Sequence, residues 1–452
     1  MLCDFLASLK GKKVSVIGAG VSNTPLIRML HSRCELYVHD KKSESQFDPG
    51  FLGELKEHKV KLVLGEGYLD SVEGDVIFRT PGVRPDVPAL EAAKARGAAV
   101  TSEMDVFFSL CPCPITAITG SDGKTTTSTI IAELLRAQGY EVFLGGNIGA
   151  PLLPRLDEMN QNSRVVVELS SFQLMDMTHS PHTAVITNVT PNHLDWHRGM
   201  DEYTDAKFNL LRHQDSNCRC VLNFDDLTTR SFGEKCQGAV RYFSLNTTAN
   251  GYSFDGENIC KDGRPLLRAD RLRIPGRHNI ANFMAALAAT EGEVSIDSIM
   301  QVADTFTGVE HRIEFTRELD GVKYYNDSIA SSPTRSQAGL MCFDCPVVLI
   351  AGGYDKKIAF DDFGELVCER VDTLMLCGAT ADKIEAAVLG AKNPKKPRIF
   401  RYDDLLSTVQ ACREIAQSGS VVLFSPACAS FDQFPNFMER GKFFKKAVAD
   451  LK

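Results

Sequence analysis

ITAITGSDGKTTTSTIIAELLRA, residues Ile115–Ala137, decides how this chain is read. Its first five residues are apolar or β-branched and predict a buried strand over Ile115–Thr119. Gly120-Ser121-Asp122-Gly123 breaks that run, and Lys124–Ala137 then reads as a helix. A glycine-rich loop between a strand and a helix turns backbone N–H groups around phosphate oxygens, and the helix N-terminus adds partial positive charge. Gly120, Ser121, Asp122, Gly123, Lys124, Thr125 and Thr126 are therefore the predicted phosphate cradle. Lys124 can reach the outer phosphates of ATP, and the Thr125 hydroxyl can ligate Mg²⁺. The spacing is tighter than the common G-x-x-x-x-G-K-[ST], because only Ser121 and Asp122 separate the two glycines. A plain helix-capping turn would leave a cation in the first helical turn, where the helix dipole disfavours it.

Working outward, further strands are expected at Arg164–Leu169, Thr183–Asn188 and Cys220–Asn223, with a helix over Asn279–Thr290 closing this segment. Upstream, strands at Val14–Gly18 and Glu35–Asp40 flank a helix over Val21–His31, which makes a βαβ unit. Its Gly18-Ala19-Gly20 with Asn23 resembles a dinucleotide fingerprint without the third glycine, and Asp40 follows at a suitable distance. The same loop can hold a redox dinucleotide or a nucleotide-sugar. Downstream of Glu310, strands at Gly321–Asp327, Pro346–Gly353, Thr373–Gly378 and Ser420–Ala427 alternate with helices. The fold class is therefore α/β in three domains, a Rossmann-like N-terminal domain (1–106), a central P-loop ATPase-type domain (107–308) and a Rossmann-like C-terminal domain (309–452).

The bulk numbers agree with three globular domains in 452 residues. A composition 44% hydrophobic and 24% charged argues against disorder, and a net charge of −8 argues against general affinity for nucleic acid. The opening MLCDFLASLKGKK does not read as a signal peptide, and no apolar run is long enough to insert in a membrane. The 14 cysteines lack paired zinc-ribbon spacing and suggest reduced thiols, hence a cytoplasmic protein.

Two further segments carry chemistry. Glu168 ends a predicted strand, where carboxylates face the ligand crevice, and it suits a hard Mg²⁺ ion shared with Thr125. His193, Asp195 and His197 form an H-x-D-x-H cluster that could hold zinc, but no cysteine nearby completes a tetrahedron, so a place beside Mg-ATP is the more economical expectation. Lys207, on a helix beginning near Met200, reads from its own neighbourhood as a solvated charge.

TGSDGKTTT (Thr119–Thr127), GGNIG (Gly145–Gly149), ELSSFQL (Glu168–Leu174), NVTPNHLDWH (Asn188–His197) and YTDAK (Tyr203–Lys207) follow in order. PGRHNIAN (Pro275–Asn282), EHRIE (Glu310–Glu314) and NDSIASSP (Asn326–Pro333) continue the series. Together they resemble the Mur ligase family along essentially the whole chain. SPACASFDQFPNFMERG (Ser425–Gly441) resembles the member that adds D-glutamate, and the D-N-P-R motif of the diaminopimelate- or lysine-adding member is not found.

The resemblance implies ATP-dependent addition of D-glutamate to UDP-N-acetylmuramoyl-L-alanine by a monomer. It implies that Lys124 and Thr125 bind the ATP phosphates and magnesium, with Glu168 as a further ligand. His193 and Lys207 would hold a second Mg²⁺, Lys207 as its N-carbamate, so that Lys124, His193 and Lys207 are the catalytic set. Asn282, Arg312 and Asp327 would contact the nucleotide, and Asn147 the muramoyl substrate. Val21, Ser22, Asp40, Lys41 and Thr80 resemble uridine-nucleotide contacts, which accounts for the incomplete fingerprint. Ser331, Lys356, Ser430, Phe431 and Phe437 resemble D-glutamate contacts. Ser331 stands where threonine is frequent, and Lys357 competes with Lys356 for the substrate carboxylate. Folylpolyglutamate synthase has a related P-loop, and a nucleotide-hydrolysing regulatory switch is the alternative from another class. The N-terminal domain and SPACASFDQF speak against the first, and a substrate domain ending in that segment against the second.

Overall fold

Three sheets organise the chain, which the computed structural model describes over residues 1–70 and 72–452. Two compact units result, Met1–Ala269 with Ile280–Val302, and Asp270–Asn279 with Ala303–Lys452. The first unit carries two sheets and the second carries one.

The first sheet is wholly parallel, in the order Lys61–Leu64, Glu35–Asp40, Lys13–Ile17, Val76–Phe78, Ala99–Thr101. Val14, Val16 and Val38 share one core with Leu26, Ile27 and Leu30 of the helix Asn23–Leu30. Ile17 and Ile77 pack with Leu90 in a separate cluster. Chain direction through the sheet reverses at Lys13–Ile17, so a ligand crevice opens beyond the carboxyl ends of that strand and of Val76–Phe78. Gly18 closes this edge. Its φ is +82°, and a Cβ there would stand 2.8 Å from Thr80 Cγ2.

The second sheet has nine strands. Seven run parallel, in the order Val142–Gly146, Arg164–Glu168, Ile115–Thr119, Thr183–Ile186, Arg219–Asn223, Ala239–Ser244 and Gly251–Phe254. Asn258–Lys261 and Arg264–Arg268 then turn antiparallel. Ile115–Thr119 is buried along its whole length, and the helix Lys124–Ala137 follows it as the periodicity predicts. Glu168 and Thr119 end neighbouring strands, which sets both on the carboxyl edge.

The third sheet pairs the antiparallel edge strand Glu314–Leu319 with Val322–Asn326. It continues in parallel through Val421–Phe424, Val347–Ala351, Thr373–Leu376 and Arg398–Arg401. All three sheets match the expected α/β class. Among the described residues no helix is long and apolar enough to cross a membrane.

Candidate active site

The phosphate loop is built against the segment Thr187–Thr190. Ser121 N–H donates to the Asn188 carbonyl at 3.0 Å, and Ser121 Oγ donates to the Thr190 carbonyl at 2.9 Å. Asp122 N–H donates to Asn188 Oδ1 at 2.9 Å, while Thr187 Oγ1 donates to the Asp122 carbonyl at 2.6 Å. This closeness leaves no room for side chains at the two glycines. A Cβ on Gly120 would lie 1.8 Å from Thr187 Oγ1, and one on Gly123 would lie 2.4 Å from Asn282 Oδ1. Both also hold positive φ, +149° and +80°. Gly123 caps the helix without any side-chain bond, so no capping side chain competes with an anion for the N–H groups of its first turn. Lys124 Nζ donates to the carbonyls of Gly120 and Ser121 at 2.9 and 2.8 Å, which holds its charge over the loop mouth. Gly120→Ala should therefore lower stability by about 1–3 kcal/mol from backbone strain alone and abolish nucleotide binding. Urea melts with a nucleotide-binding titration check this, and a variant that binds like wild type would contradict the tight-loop account.

Two buried charged side chains, Glu168 and Lys207, lie beside this loop. Glu168 is 2% exposed and accepts from Thr125 Oγ1 at 2.7 Å and from Asn147 Nδ2 at 3.0 Å. Lys207 is 1% exposed, its Nζ 4.5 Å from the Tyr203 ring centroid. This overturns the solvated lysine expected from the helix alone. On the helix Met200–Arg212, Tyr203, Ala206, Leu210 and Leu211 form the buried stripe at helical spacing, and Lys207 sits in its middle. Burial, and then the positive charge of Lys124, push the Lys207 amine well below its ordinary range.

His193 has a left-handed backbone, φ +54°, and its ring lies 4.9 Å from that of Phe172. Desolvation holds its pKa below the ordinary value, Asp195 opposing and Lys124 and Lys207 adding to the shift. A neutral imidazole is the form that ligates metal. His197 is turned elsewhere. It is 3% exposed, with Nε2 2.9 Å from Ser171 Oγ and Nδ1 3.3 Å from Glu202. The H-x-D-x-H segment is thus no zinc cluster, and among the described residues no three His, Cys, Asp or Glu side chains converge as a metal cage. The Thr125 hydroxyl and the buried Glu168 carboxylate, bonded to each other, are oxygen donors that fit Mg²⁺ beside phosphate oxygens. A second Mg²⁺ beside His193 would take Lys207 as a ligand only in a form carrying oxygen.

In the first sheet, Val21, Ser22, Asp40, Lys41 and Thr80 all lie at the carboxyl edge. The Asp40 carboxylate accepts from the N–H groups of Ala19 and Lys42 at 2.7 and 2.8 Å. Asp40 therefore shapes the Gly18 turn, and Val21, 81% exposed, stands open beside it. In the second unit, Arg312 lies near Asp327, whose carboxyl is pushed up to about 7 by burial against the opposing bond from Ser425. Lys356 Nζ donates to the Ser331 carbonyl at 3.2 Å, whereas Lys357 takes a left-handed backbone. The structure thus brings Lys356 to Ser331. Ser430 is buried, Phe431 is exposed with its ring 5.9 Å from that of Tyr354, and Phe437 packs at 6.1 Å on His311.

Sequence reasoning missed Arg440. It is 3% exposed and donates to the carbonyls of Cys428, Ala429 and Ser328 at 3.0, 3.0 and 2.8 Å. It fixes the turn that presents Ser430, and burial lowers its pKa to about 10. Its only signal was an arginine inside an otherwise legible terminal motif.

Residues 118–290 match the family model of the Mur ligase middle domain, and residues 311–428 that of the Mur ligase glutamate ligase domain. The chain is 49% identical to the UDP-N-acetylmuramoylalanine–D-glutamate ligase of Acetivibrio thermocellus, over 100% of this chain and 99% of that one. The chain belongs to the Mur ligase family. A ligase of the same name from Clostridium kluyveri is 47% identical over 99% of each chain. Among solved structures, the MurF ligase of Thermotoga maritima in complex with ADP has a TM-score of 0.55 at 18% identity, covering 98% of this chain and 96% of that one. That likeness speaks for the three-domain Mur ligase fold. Full-length relatives of this kind leave neither a regulatory switch nor a folylpolyglutamate synthase favoured.

Proposed function

We propose that this Mur ligase joins D-glutamate to UDP-N-acetylmuramoyl-L-alanine at the expense of ATP, as a cytoplasmic monomer in peptidoglycan precursor synthesis. The observation that carries this reading is full-length identity of 45% or more to relatives bearing that ligase name. The segment 1–106 takes the UDP substrate through Val21, Ser22, Asp40, Lys41 and Thr80. The segment 107–308 takes ATP on the cradle Gly120–Thr126 and Asn282, with Asn147 toward the muramoyl substrate. The segment 309–452 adds Arg312 and Asp327 for the nucleotide and Ser331, Lys356, Ser430, Phe431 and Phe437 for D-glutamate.

In this mechanism the alanyl carboxylate attacks the γ-phosphorus of ATP and ADP leaves; the neutral D-glutamate amine then attacks the acyl carbon, phosphate leaves, and the amine gives up a proton as the amide forms. A free carboxylate is a poor electrophile, and phosphorylation supplies the leaving group. Bound magnesium, two ions in this reading, would neutralise charge on the transferring phosphoryl group. Thr125, Glu168, His193 and carbamylated Lys207 would hold it. Lys124 aims a fixed positive charge at the equatorial oxygens, and the N–H groups of the helix's first turn, Lys124 to Thr126, hold the phosphates in line.

Mass spectrometry of the product tests the reading, with D-glutamate, L-glutamate, meso-diaminopimelate and L-lysine offered separately beside ATP and UDP-N-acetylmuramoyl-L-alanine. Only D-glutamate should give the ligated mass. Ligation of another of these amino acids in its place would overturn the assignment.

A further inference from the structure

Two arginines bracket the turn Thr80–Val83, and both reach past it to the second sheet's loops. Arg79 has a fully buried side chain. It donates to the carbonyls of Thr80 and Val83 at 3.2 and 2.6 Å, to the Phe172 carbonyl at 3.2 Å, and through Nε to Asp176 at 2.9 Å. Arg84 donates to the Trp196 carbonyl at 2.9 Å and grips the Glu202 carboxylate at 3.0 and 2.7 Å. Asp86 takes its remaining fork at 2.9 Å, and its guanidinium lies 5.1 Å from the Trp196 ring centroid.

The anchor points are not scattered. Phe172 follows Glu168 by four residues, Trp196 follows His193 by three, and Glu202 precedes Lys207 by five on the same helix. The anchors also touch one another. The Phe172 ring lies 4.9 Å from that of His193 and 4.4 Å from that of Trp196, and Glu202 receives the His197 ring that bonds Ser171. Tyr203, beside Glu202, closes the path to the phosphate loop through Ser121 Oγ at 2.9 Å. Bidentate arginine–carboxylate pairs fix orientation as well as distance.

We infer that Arg79 and Arg84 form a brace that couples occupancy of the Thr80–Val83 turn by the uridine-nucleotide substrate to the geometry of the magnesium-holding side chains. The inference rests on the proposed roles of Thr80, Glu168, His193 and Lys207. Neither arginine touches the reacting atoms, so both are positioning residues. A substrate that orders the turn orders both guanidinium groups, and these hold the loops of Glu168 and His193 and the helix of Lys207. Linkage makes the effect reciprocal, so metal binding must tighten the UDP substrate by the same factor.

Arg84 is the side chain to vary, because it is 18% exposed, whereas removing Arg79 would strand Asp176 beside a buried gap. Mn²⁺, read by electron paramagnetic resonance as a stand-in for Mg²⁺, is titrated into the full chain with a non-hydrolysable ATP analogue. The titration is repeated with saturating UDP-N-acetylmuramoyl-L-alanine. Wild type should bind Mn²⁺ about five-fold or more tighter when the UDP substrate is present. Arg84→Gln should lose most of that tightening, so that its Mn²⁺ affinity is nearly the same with and without the UDP substrate. Arg84→Lys, which keeps the charge but not the two-point grip, should fall between the two. Thermal melts confirm folding, and if the Gln variant does not fold the Lys variant decides alone. Full tightening in a folded variant, or none in wild type, overturns the brace. Such a result leaves D-glutamate ligation by wild type untouched, whereas failure of wild type to ligate D-glutamate refutes the underlying function.

Discussion

Lys124→Ala should lower turnover on the order of 100- to 1,000-fold, about 3–4 kcal/mol of transition-state stabilisation, the loss seen when one preorganised donor is removed from an active site. The ammonium is held over the loop mouth by the carbonyls of Gly120 and Ser121, so its charge needs no reorganisation when the phosphoryl group arrives. The loop itself does not depend on this side chain, since Thr187, Asn188 and Thr190 bond Ser121 and Asp122 directly. Alanine also has the better helix propensity at the first position of Lys124–Ala137. The variant should therefore melt close to wild type while failing to form product. Product formation measured beside a thermal melt separates the two effects. Turnover near that of wild type would remove Lys124 from the phosphate site.

The fold was legible where strands are central and apolar. Ile115–Thr119, Val347–Ala351 and Val421–Phe424 are buried throughout, and each reads as an uninterrupted apolar or β-branched run. Two of the edge strands carry no such run. Arg264–Arg268 begins and ends in arginine, and Glu314–Leu319 mixes charges with apolar residues, because each is covered on one side only. The phosphate loop was legible because glycine spacing reports backbone geometry directly, and the clashes at Gly120 and Gly123 give the reason. Long-range pairing was not legible. Nothing near Arg79 or Arg84 in sequence announces Asp176 or Glu202, about a hundred residues away, since an ion pair leaves no local period. The burial of Lys207 lay between these cases. Its place in the stripe of Tyr203, Ala206, Leu210 and Leu211 was present in the sequence, but a lysine's long stem usually carries its charge out to water.

That burial leads to the other large expected effect. Lys207→Ala should be nearly inactive, and acetate should restore part of the activity. An ammonium at this position would repel magnesium, but a neutral amine can add CO₂ and release a proton to give a carbamate with two oxygen donors, and only the deprotonated amine reacts. Burial and the charge of Lys124 favour that neutral form. The folded chain binds fewer protons at Lys207 than the unfolded chain, so the unmodified protein bears a penalty that is absent above about pH 10.4 and grows as pH falls toward the lowered folded-state pKa. Removing the amine removes that penalty, which works against the cavity left by its stem. Lys207→Met, which refills the volume, should therefore be at least as stable as unmodified wild type while remaining inactive. Activity of wild type should fall reversibly when CO₂ is stripped from the buffer, and more steeply at acid pH, where the amine is protonated. Acetate rescue of Lys207→Ala would show that the missing component is a carboxylate-like oxygen donor. Full activity in Lys207→Ala would reject the metal role. An inactive Lys207→Ala that melts normally and ignores acetate would instead assign Lys207 to positioning through its contact with the Tyr203 ring.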